Sequence, residues 1–145
     1  MANTTDATTS QPIFHGHKAG LRNVGSYQVS GHPFVTGAIV PAATEVKIQF
    51  PYVTKKVTII GSGSGANDLR VYFVPATANN KVVEGHHYIS LDSHEDSVEF
   101  DLKCNELYIQ APKAAAGYQL YASLTLITGS SMFTVTGSGI DSGAP

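Results

Sequence analysis

Cysteine occurs once in the 145 residues, as Cys104, and tryptophan not at all. No internal disulfide can therefore hold this chain, and a hydrophobic core has to do so unaided. A chain of this length hides roughly 68–70% of its unfolded surface on folding, enough for one domain. Charge is scarce as well, at 14% of residues, against about 25% in an ordinary soluble domain. Nine Lys and Arg against eleven Asp and Glu give a formal charge of −2. That balance excludes a surface built to track phosphates, so no nucleic-acid partner is expected. No apolar run approaches the roughly 18 residues of a membrane span, and residues 1–11 lack the apolar stretch of a secretory signal. The expectation is a protein made in the cytoplasm, with no membrane partner. Leucine is sparse too, with 8 copies against 22 Val and Ile. With 13 Thr and 13 aromatics added, the composition suits pleated, half-buried strands rather than helices. A surface left to Ser, Thr, Asn, Gln and Gly fits a subunit packed against neighbours better than a freely diffusing enzyme.

What is present is organised by period two. Residues 1–20 have the composition of a flexible N-terminal arm, hydrophilic to Gln11 and then offering Ile13, Phe14, His15 and His17 as a short adhesive patch. Residues 21–37 are punctuated by glycine, with apolar pieces at 24–29 and 34–35, and read as loops with one or two short strands. From Glu45 the alternation is strict: Val46, Ile48 and Phe50 share one face, Glu45, Lys47 and Gln49 the other. Val57 and Ile59, then Leu69, Val71 and Phe73, continue the inward set. Val98, Phe100, Leu102 and Cys104 give the cleanest run, followed by Leu107 and Ile109, and by Leu120, Ala122, Leu124 and Leu126. Seven to nine such strands predict an all-β antiparallel sandwich over residues 21–127, of jelly-roll or immunoglobulin-like topology. Residues 128–145 form a Gly/Ser-rich C-terminal tail with a strand candidate at 132–136.

Chemistry-bearing motifs are few. His15 and His17 stand at i, i+2, and His86, His87 and His94 would add further metal ligands only if the fold gathered them. Adjacent His86 and His87 point to opposite sides of a strand and no cysteine pair accompanies them, so surface or loop histidines are expected and no metal or cofactor. Asp92, Glu95, Asp96, Glu99 and Asp101 lack the spacing of a calcium loop, and phasing puts Glu99 and Asp101 on a solvated face. The 61–65 glycine loop lacks the Lys-Ser/Thr ending of a phosphate cradle, and no serine sits in a nucleophile elbow. No catalytic residues emerge, and a non-enzyme is expected over a metal-dependent cupin-like enzyme. By alternation Tyr72, Tyr108 and Tyr121 point away from the core. Such tyrosines mark a subunit contact, a sugar platform, or a face covered by a terminal segment.

The strings LRNVGSYQVSG within 21–37, then QFPYVTKKVTII, then GHHYISLDSHEDSVEFDLKCNELYIQAP are similar to virion structural proteins of tailed phages, chiefly marine ones, among which small capsid decoration (cement) proteins are the nearest functional label. The resemblance spans roughly residues 21–127. It implies a bacteriophage capsid protein on the outer head surface that binds the major capsid protein and neighbouring copies of itself, as an oligomer without enzymatic activity. It carries over no individual binding residue. The partner-binding candidates, Ile13, Phe14, His15, His17, Tyr72, Tyr108 and Tyr121, come from the residue pattern alone. A carbohydrate-binding head-fibre or tail component is the alternative expectation.

Overall fold

A computed structural model of the chain describes residues 20–28, 30–62, 68–76, 82 and 85–133. They form an all-β sandwich of two antiparallel four-stranded sheets. The strands are β1 (His32–Val40), β2 (Thr44–Gln49), β3 (Tyr52–Gly61), β4 (Leu69–Tyr72), β5 (Ile89–Leu91), β6 (Ser97–Phe100), β7 (Glu106–Ala111) and β8 (Ala116–Thr128). One sheet has the order β1-β8-β3-β6 and the other β2-β7-β4-β5. Every connection except β4 to β5 passes from one sheet to the other, so the chain wraps both layers around one core.

Period two explains that core. Along the first sheet the register sets Phe34, Ala122, Val57 and Phe100 in one inward row and Thr36, Leu120, Ile59 and Val98 in the next. From the second sheet Ile48, Phe50, Leu69, Val71, Leu107 and Ile109 meet them. Phe34 packs edge-on against Phe50 at 5.2 Å between ring centroids, and Phe73 against Phe100 at 5.6 Å, the offset geometry that aromatic quadrupoles favour. Val46, Phe73, Val98, Phe100 and Leu102 of the expected inward set are partly buried at the rim of this cluster.

Two expectations are corrected. Leu126 is 56% exposed while Ile127 is buried. The β3–β8 register slips between Tyr52 and Lys56, Leu124 and Thr125 are buried in succession, and the alternation beyond them is inverted, as a bulge requires. Residues 25–28, read as part of a strand, form one helical turn, α1 (Gly25–Gln28). The Asn23 side-chain oxygen accepts the Gly25 amide at 3.0 Å there, and the Tyr27 and Gln28 amides both reach back to the Val24 carbonyl. Local hydrogen bonding by Asn thus overrides the β-propensity of the flanking valines. Residues 129–131 form a 3₁₀ turn directly after β8, and the strand candidate at 132–136 lies outside the described residues beyond Phe133.

Candidate functional site

The face of the β1-β8-β3-β6 sheet that turns away from the core carries the two most exposed large apolar side chains of the described residues. Its rows follow from the same register: Val35, Tyr121, Thr58 and Glu99 in one, Gly37, Gln119, Ile60 and Ser97 in the next. Val35 is 75% exposed, Ile39 73% and Tyr121 46%. Val35 and Tyr121, together with Thr58, Ile60 and Gln119, line a shallow depression of about 550 Å³. The side of this face nearest β6 is charged. Lys56 pairs with Glu99 at 3.2 Å and lies 4.0 Å from Asp101, and the Glu99 carboxylate, through its hydrogen bond and charge, holds the Lys56 ammonium above its ordinary range. These charges are spent on one another at the surface, leaving an apolar and amide-lined half toward β1.

The corresponding face of the other sheet is closed. Tyr72 and Tyr108 do point away from the sandwich core, as alternation requires, yet both are buried. Of the three expectations for outward tyrosines, these two meet the covered face. They stack with ring planes 9° apart at 6.0 Å, beneath a second small cluster of Val82, Ala76 and Tyr88. Among the described residues this cover comes from the stretch between β4 and β5. Glu45 fastens it: the carboxylate accepts the Tyr72 hydroxyl and, at 3.0 Å, the Ala76 amide. Arg70 lies over the Tyr88 ring at 4.4 Å, and its Nε stands 3.7 Å from the Asp68 carboxylate, an ion pair beyond hydrogen-bond reach. Sequence alternation shows which side a tyrosine faces but cannot show that a loop returns across it.

Burial raises the pKa of the Tyr72, Tyr108 and Tyr118 phenols, with the Glu45 hydrogen bond as second cause at Tyr72 and the Glu106 charge at Tyr108. Burial likewise pushes the Cys104 thiol up to about 11. All four groups are neutral acids favoured by the fold. Their contribution is whole below the unfolded values, roughly 10 for tyrosine, and is lost as pH rises beyond them. Alkaline titration is therefore expected to unfold the protein above about pH 10. The phenolate absorbance of Tyr72, Tyr108 and Tyr118 should emerge together with the loss of near-ultraviolet dichroism; smooth titration of all seven tyrosines in a folded protein would contradict the burial.

The described histidines do not gather into one site. His86, at φ 57°, contacts the Tyr88 hydroxyl through Nδ1 at 3.1 Å, and His94 lies 3.9 Å from Glu95 on the turn after β5. Among the described residues no three His, Cys, Asp or Glu side chains converge as metal ligands would. Asp96 instead closes its own turn, accepting the Ser93 amide at 2.9 Å and the Asp92 amide at 3.2 Å. Ile13, Phe14, His15 and His17 lie outside the described residues, so of the seven candidates Tyr121 alone is placed on an open surface.

No family model matches this chain. No curated protein matches it either. A chain from a solved structure described as "Bacillus endospore appendages form a novel family of disulfide-linked pili" is similar at 16% identity, covering 66% of this chain and 94% of that one, with a TM-score of 0.32. A likeness of that size carries no argument about function.

Proposed function

We propose that this chain is a virion structural protein that decorates the outer capsid surface, stabilising the shell by binding the major capsid protein and bridging subunits. The observation that carries this reading is the open, charge-poor half of the β1-β8-β3-β6 face, where Val35, Ile39, Ile60 and Tyr121 offer an apolar surface rimmed by amide and hydroxyl groups. The resemblance over residues 21–127 supports it. So does the strand order, which we read as the double Greek key of a jelly roll, an architecture of capsid and lectin domains; that support is analogy at the level of fold. A protein that binds only the assembled shell stabilises it by mass action, about 2.7 kcal/mol at a hundred times Kd, and many copies on a lattice add avidity.

Tyr121→Ala tests the reading. The side chain stands clear of the core, so folding should persist, whereas a central interfacial tyrosine is worth on the order of 2 kcal/mol. Co-sedimentation with heads of the phage that encodes the protein should weaken about 30-fold; unchanged occupancy, or no binding by the natural chain, sinks the proposal. Tyr121 beside Gln119 and Thr58 in a shallow depression also suits a sugar ring, with an aromatic platform and polar neighbours. That second reading expects saturable quenching of tyrosine fluorescence by glycans, abolished in Tyr121→Ala.

A further inference from the structure

Strand β1 is the edge of its sheet, paired with β8 on one side and with no other strand of the described residues on the other. Exposed edges are normally blunted by charge, proline, bulges or brevity, because unpaired amides and carbonyls template pairing with another chain. Here the edge runs nine residues, His32–Val40, with no Asp, Glu, Lys or Arg, and its pairing with β8 is free of register shifts. Pro33 alone is of the blunting kind, and it lies near one end. The two most exposed large apolar side chains of the described residues, Val35 and Ile39, stand four positions apart on this strand, symmetrically about Gly37.

That spacing is self-complementary. We propose that two copies of this chain associate through β1, antiparallel about a two-fold axis at Gly37, joining two four-stranded sheets into one of eight. Each Val35 then lies opposite the partner's Ile39, and the apolar strip beside Tyr121 continues unbroken across the axis. The neighbouring register, with Thr36 on the axis, sets Val35 against glycine and Ile39 against proline and leaves the apolar surface unmatched. With Gly37 on the axis the ladder spans residues 34–40, about 23 Å, and Pro33 falls outside it, so its missing N–H interrupts nothing. No like charges meet, since the strand has none. Such a contact covers on the order of 500 Å² per partner, below the roughly 800 Å² of a standard stable pair. The dimer is accordingly weak and concentration-dependent in solution. It gains strength where copies are held side by side on a lattice. The inference deepens the proposed function by naming its self-contact, while its geometric basis is β1 alone.

Cysteine pairs read the register in the full chain. Val35→Cys and Ile39→Cys proteins, mixed and oxidised, should give at least five-fold more cross-linked dimer than either alone. In the proposed pairing residue 35 lies within disulfide reach of residue 39 of the second copy, whereas residues 35 and 35 are about 14 Å apart. Cys104 is buried and stays out of the reaction. By sedimentation, the natural chain should pass from monomer to dimer between about 10 μM and 1 mM, with Val35→Lys/Ile39→Lys monomeric throughout and its far-ultraviolet dichroism unchanged. A natural chain monomeric at 1 mM, or mixed cysteine proteins no better cross-linked than single ones, overturns the inference. Should the lysine variant misfold, the cysteine pair still decides. A chain that fails to dimerise yet binds heads in a Tyr121-dependent way removes the self-contact only; a β1 dimer without head binding removes the virion reading only.

Discussion

Phe50→Ala is expected to lower the unfolding free energy by about 3–5 kcal/mol, a large share of the ~5–15 kcal/mol that a domain of this kind possesses. The ring is 1% exposed and sits where the sheets face each other, edge-on to Phe34. It is held from behind by its own backbone, since the Phe50 amide donates to the Asn105 carbonyl at 2.8 Å. That anchor keeps the β2–β3 corner from collapsing into the space the ring vacates, so the cavity term stays near its full size. Phe100→Ala, at the half-buried rim of the same cluster, should cost less, about 1.5–3 kcal/mol, because solvent can reach part of the void. Urea unfolding should show both as lower midpoints at unchanged m. Equal costs for the two would mean that the sheets close more evenly than the packing indicates.

The second large effect comes from two buried hydroxyls. Thr54 is fully buried; its Oγ1 donates to the Leu102 carbonyl at 2.8 Å and accepts the Cys104 amide at 3.1 Å. Thr125, 2% exposed, does the same one strand over: its Oγ1 donates to the Val53 carbonyl at 2.7 Å and accepts the Ile127 amide at 3.1 Å. Both stand where the β3–β8 ladder slips, and each satisfies one amide and one carbonyl that the slip or the end of β6 leaves without a strand partner. Valine has the shape of threonine but neither bond. Thr54→Val/Thr125→Val should therefore lose about 2–5 kcal/mol, since each orphaned buried pair costs on the order of 1–3 kcal/mol. Thr58→Val, on the outer face of β3 with one exposed contact at 3.4 Å to Glu99, is the control and should change stability by less than ~0.5 kcal/mol. A double variant as stable as the control would show that the bulge satisfies its backbone without the hydroxyls.

Legibility followed the physics of each element. Val46, Ile48, Val57, Ile59, Val98 and Phe100 could be phased correctly from sequence because a strand buried on one side must alternate. Leu126 could not, since a bulge obeys hydrogen bonding between two distant segments and leaves no mark in either alone. The nine-residue reach of β1 was hidden in the same way. Pro33 and Gly37 argue locally against a long strand, and Gly37 is tolerated because a side chain there would come within 2.9 Å of the Tyr118 carbonyl, a closeness only the paired structure reveals.

The sequence by itself determined the class of fold, the absence of an internal disulfide, the charge-poor surface and most of the inward set, all of which depend on composition or on the two-residue period of a strand. Tertiary structure alone decided which outward residues remain outward. Tyr72, Tyr108 and Tyr121 carry the same sequence signal, yet a segment fastened by Glu45 closes over the first two, while Tyr121 is left open beside Val35 on β1. The reason is that alternation specifies a side of a sheet, whereas exposure depends on what else the chain brings to that side, and contacts between residues far apart in sequence carry no local periodicity.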